Sequence, residues 1–119
     1  MAFLCRNDRV LFTGDAVNAD TFLLEMNRAE LAAYADRLDA LAVRVGDEGT
    51  TVYAGHLNRG QTFRTILNLA EACREVSRGE TYGDPPGMSV YVNAEERPSR
   101  RLHYHGNTCV VYDRAAFND

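Results

Sequence analysis

Leu11-Phe12-Thr13-Gly14-Asp15 and Val52-Tyr53-Ala54-Gly55-His56 are the two segments whose reading decides the fold. Each is a short apolar run closed by Gly and then by a residue able to ligate a metal. The runs predict strands, each Gly a sharp exit, and Asp15 and His56 polar groups held at strand ends. In α/β proteins such loops, positioned by a rigid scaffold, carry chemistry.

Working outward, residues 2–5 and 9–13 predict a hairpin across Arg6-Asn7-Asp8, because Asn and Asp tolerate left-handed turn geometry. Val10 and Phe12 share one face of the second strand, Leu11 and Thr13 the other. Both faces are largely apolar, which predicts cover on both sides. Residues 16–26 read as an irregular connection with an apolar patch, Thr21-Phe22-Leu23-Leu24. Asn27 followed by Glu30 forms a capping-box pattern, and Leu31, Tyr34, Ala35, Leu38, Leu41 and Ala42 lie on one helical stripe. Gly46 predicts the stop, and Thr50–Ala54 is the next strand. Leu57-Asn58-Arg59-Gly60 is a loop. A second helix runs from about Thr62 to Arg78, with Phe63, Ile66, Leu67, Ala70 and Cys73 on its buried side and Gly79 at its end.

Gly83-Asp84-Pro85-Pro86-Gly87 breaks regular structure and is the best boundary within the chain. It separates a core over residues 1–80 from a β-tail over 81–119, the whole forming one partial domain. In the tail, Met88–Val92 and Arg101–His105 alternate, Thr108–Tyr112 is continuously apolar, and Gly106-Asn107 is a two-residue turn. The order is ββ-α-β-α followed by a β-hairpin tail, an α/β fold.

Composition narrows the functional classes. The 119 residues are 45% hydrophobic and 25% charged, an ordinary globular balance. A net charge of −4 argues against nucleic acid or an anionic membrane as the main partner. No apolar run is long enough to cross a bilayer and the N-terminal run is too short for a secretory signal core, so a cytoplasmic location is expected. Cys5, Cys73 and Cys109 are neither a disulfide framework nor a zinc ribbon; they read as reduced cysteines, with Cys73 and Cys109 buried. All the basic residues are Arg, with no mechanism attached.

"LFTGDAV" followed by "TTVYAGHLNRG" resembles the second half of the metallo-β-lactamase fold, as in glyoxalase-II-like hydrolases. The resemblance covers roughly residues 9–78, and the helix from Asn27 to about Val45 matches the helix between that family's ligands. It implies half of an αββα sandwich in which Asp15 bridges two zinc-type metal ions and His56 ligates one of them. Asn58 and Arg59 would border the substrate. Metal-activated water would attack an ester, thioester or related bond. A lone half would leave one sheet face bare, so the resemblance also implies association with a missing N-terminal half or with a second copy.

The family's His-x-His-x-Asp-His segment is missing, as is a further His before the Gly-Asp strand. Two ligands do not make a catalytic zinc centre. His103-Tyr104-His105 has the first spacing of that signature, but Gly106 and Asn107 follow. Alternation puts both imidazoles on one face of a strand, read as a partly exposed sheet face. Glu95 and Glu96 read as solvent-facing, Asp84 as a turn residue, and Tyr82 has no assignable role. The competing reading is a metal-free scaffold or oligomerisation module derived from the same fold. A third is an unrelated small α/β binding domain with chance Gly-Asp and Gly-His signals.

Overall fold

The computed structural model describes residues 2–14, 17, 20–54, 61–81 and 99–117. Among these described residues the fold is mixed α/β, with two helices and two small sheets. The strands are β1 (Phe3–Cys5), β2 (Val10–Gly14), β3 (Asp20–Leu23), β4 (Thr51–Ala54), β5 (Gln61–Thr62), β6 (Arg100–His105) and β7 (Thr108–Asp113). The helices are α1 (Arg28–Val45) and α2 (Phe63–Ser77), and a 3-10 turn, Arg114–Ala116, follows β7. The first sheet has the order β1-β2-β4-β5 and the second β3-β7-β6.

The first hairpin forms as expected, with Phe3 opposite Phe12 and Cys5 opposite Val10. Its left-handed residue is Arg9 (φ 55°), not Asn7 or Asp8. Arg9 there donates two 2.8 Å hydrogen bonds to the Asp47 carboxylate, and Arg6 donates to the Arg44 and Val45 carbonyls at the end of α1. Both arginines tie the turn to the far end of α1.

Helix α1 starts and stops where its sequence directs. The Asn27 side chain accepts from the Glu30 N–H, the Glu30 side chain accepts from the Asn27 N–H, and Gly46 closes the helix at φ 67°. Its stripe buries Leu31, Ala35, Leu38, Ala42 and Val45 against α2, which contributes Ile66, Leu69, Ala70, Cys73 and Val76. Leu11 and Val52 from the first sheet and Val110 and Tyr112 from the second complete the same core. Burial pushes the Cys73 thiol up to about 12, and all three cysteines are free.

Two strands were missed by local reading. Residues 20–23, expected to be irregular, form β3, parallel to β7 with Asp20 opposite Cys109 and Leu23 opposite Tyr112. Nothing near residue 20 signals a partner almost ninety positions away. Gln61–Thr62, read as loop and helix start, pairs with β4 before α2 begins. The expected strand at Met88–Val92 and the break at Gly83–Gly87 lie outside the described residues.

Candidate functional site

Strands β2 and β4 are adjacent and parallel, joined through β3 and α1. A parallel pair needs such a long crossover, and its C-terminal ends then share one edge of the sheet. Here Gly14 is opposite Ala54, so both strands end together. The next residues in sequence are Asp15 and Gly55-His56. In open α/β sheets the carboxyl ends of parallel strands are where ligands bind.

Three local features shape that edge. The register slips between Phe12 and Gly14, so β2 carries one residue more than β4 there; such bulges bend a strand and re-aim the side chains that follow. Gly14 sits at φ 57° with open space around a would-be Cβ, so backbone conformation, not room, calls for Gly. The buried Thr13 hydroxyl lies 3.0 Å from the Val17 carbonyl and 3.3 Å from the Tyr53 carbonyl. It pins the exit of β2 both to Val17 and to β4.

Asp15, His56, Asn58 and Arg59 themselves lie outside the described residues, as do Tyr82, Asp84, Glu95 and Glu96. Among the described residues no three His, Cys, Asp or Glu side chains are arranged to hold a metal ion, and no helix is long and apolar enough to cross a membrane.

The outward face of the first sheet is a second notable surface. Phe3 is opposite Phe12, and Phe12 opposite Tyr53, so three aromatics form a row across three strands. They are 63%, 47% and 38% exposed, and the Phe12 and Tyr53 rings stack at 5.8 Å. Cover on both sides of β2 was expected. Instead Leu11 and Thr13 are buried and Phe12 is open. The row was legible only once the register was known, because it joins residues from three separate segments.

His103 and His105 do share one face of β6, but that face turns onto α2. Glu75 of α2 stands between them, its Oε1 3.2 Å from His103 Nε2 and 2.7 Å from His105 Nδ1. Their side chains are 15% and 34% exposed, so the face is partly exposed as expected, with α2 lying against it. Glu75 drew no attention in the sequence, being one of two carboxylates on α2, with nothing local to distinguish it from Glu71.

No family model matches the chain, and neither a curated protein nor a solved structure matches it. The functional reading therefore rests on the strand-end geometry and the residues that follow it.

Proposed function

We propose that this chain is the C-terminal portion of a zinc-dependent hydrolase of the metallo-β-lactamase superfamily. The observation that carries the reading is the parallel β2–β4 pair ending together at Gly14 and Ala54, each followed by a Gly-linked ligand residue in sequence. A carboxylate and an imidazole are donors that suit zinc, so Asp15 and His56 would hold it. Two donors do not fill a tetrahedral shell, and the remaining ligands would come from another chain or segment. When bound, zinc supplies an activated water for attack on an ester, thioester or related bond. Asn58 and Arg59 would border a small-molecule substrate.

The exposed Phe3-Phe12-Tyr53 row supports the same reading. A contiguous apolar patch marks a surface that another surface covers, and a flat aromatic row on a sheet suits a second sheet, packed about 10 Å away. The partner would be the N-terminal half or a second copy. A cytoplasmic location, and the absence of nucleic acid or membrane from its partners, belong to this proposal.

Calorimetric titration of metal-free protein with zinc is the test. Weak binding that is lost in both Asp15→Ala and His56→Ala is expected; binding indifferent to both substitutions would sink the proposal. The aromatic row also favours a second reading, a metal-free scaffold that associates through this face. That reading predicts an oligomer in sedimentation experiments that chelator leaves unchanged and that Phe12→Ser disperses.

A further inference from the structure

The terminal hairpin is tied to α2 by two sets of polar contacts. At its turn, Asn107 donates to the Thr65 hydroxyl and accepts from Asn68, both at 3.0 Å. These groups are neutral at every ordinary pH. Further along, Glu75 meets His103 and His105, and all three members titrate. We infer that Glu75, held between His103 and His105, is an acid-sensitive latch that seats the β6–β7 hairpin on α2.

A carboxylate only accepts hydrogen bonds. Both rings approach the same Glu75 oxygen, so each must carry its proton on the nitrogen that faces it. His103 is therefore protonated on Nε2 and His105 on Nδ1. The surroundings leave Glu75 as the anion that serves both rings. On α2, Glu71 pairs with Arg78 at 3.1 Å, and Arg74 pairs with Asp36 and Asp39 of α1. On β6, Arg101 shares the histidine face. On β7, the residues opposite Arg101, His103 and His105 are Tyr112, Val110 and Thr108, of which only the Tyr112 phenol titrates.

Acid acts on this arrangement in one direction. Hydrogen bonds from ring N–H groups to an ionised carboxylate are charge-assisted and strong. Once Glu75 takes a proton, the anion between them is gone. The two rings then face a neutral acid that no longer accepts from both, and the seat of the hairpin on the helix is weakened. Burial alone would raise the Glu75 carboxyl, but the hydrogen bonds from His103 and His105 outweigh it and leave it below its ordinary value of 4.5. A carboxyl lowered in the folded state adds stability above its unfolded value and loses it as pH falls through the folded one. The latch thus holds at neutral pH and opens below about pH 4.5.

Two measurements decide it. Nitrogen-15 correlation spectra of the histidine rings at pH 8 should show His103 protonated on Nε2 and His105 on Nδ1. The second is the tautomer a free histidine disfavours, so His105 protonated on Nε2 would overturn the latch. Hydrogen exchange, corrected for intrinsic rates, should show β6 and β7 losing about tenfold protection relative to α1 between pH 5 and 3.5. Glu75→Gln should already show that loss at pH 7 and should be flat across the same range. Hairpin protection that follows α1 at every pH, or an equal pH response in Glu75→Gln, would overturn it.

Discussion

Strands β2 and β7 read alike in the sequence, as apolar runs with no polar face, yet their surroundings differ. All of Thr108 to Tyr112 in β7 is buried. One side, Val110 and Tyr112, belongs to the main core, and the other, Cys109 and Val111, packs with Leu102 and Leu24. In β2 only Leu11 and Thr13 are buried, and Phe12 is left open beside Phe3 and Tyr53. An apolar face states that cover is needed; it does not say which chain provides it. For the second sheet this chain does. For the first, the cover belongs to a partner under the proposed function.

The difference is sharpest when one aromatic from each sheet is removed. Tyr112 is fully buried, with its ring stacked on Phe117 at 5.5 Å, which in turn lies under the Arg28 guanidinium at 4.7 Å. Tyr112→Ala should cost about 3–5 kcal/mol in urea denaturation, through lost burial and the cavity left behind. Phe12→Ser should change monomer stability by no more than about 1 kcal/mol, while reducing association in sedimentation velocity. Equal losses from the two substitutions would erase the contrast between the sheets.

The ends of the second sheet offer an intermediate test. Gly106 turns the hairpin at φ 57°, and a Cβ there would come within 2.5 Å of Asn68 Nδ2. Gly106→Ala should cost about 1–2 kcal/mol from left-handed strain, together with weakening of the Asn107 contacts to α2, measurable by thermal unfolding. Asn27→Ala, which removes the cap of α1, should cost about 1 kcal/mol, at a site remote from both sheets. The smallest effect belongs to the exposed Arg9–Asp47 pair. The hydrogen bonds from Arg9, with one from the Gly49 N–H, hold the Asp47 carboxyl down at about 2. Its contribution is present above the ordinary carboxylate range and fades as pH falls toward that value. Asp47→Asn should slightly lower the neutral plateau of a stability–pH curve and leave its acid end nearly unchanged, so that the acid arm is flatter.

What the sequence disclosed follows the range of the interactions. The α1 cap, its stripe, Gly46 and the Gly106 turn are local and were readable residue by residue. Strand β3 was not, because its hydrogen bonds come from β7 at the other end of the chain. The Glu75 contact escaped for the same reason: its partners lie on β6, and spacing within α2 carries no trace of them. At the candidate site, Gly14 was legible as a strand exit. The bulge beside it and the Thr13 hydroxyl tie depend on the register with β4 and were not. His103 and His105 were correctly put on one face, but which element covered that face required the packing of α2.

The central claim is that the shared edge of β2 and β4 presents a zinc-binding pair. The most direct measurement follows the ring nitrogens of the three histidines while zinc is added to metal-free protein. The account predicts that His56 responds, that His103 and His105 do not, and that Asp15→Ala abolishes the His56 response. A His56 signal unmoved by zinc, or one that moves equally in Asp15→Ala, would contradict it.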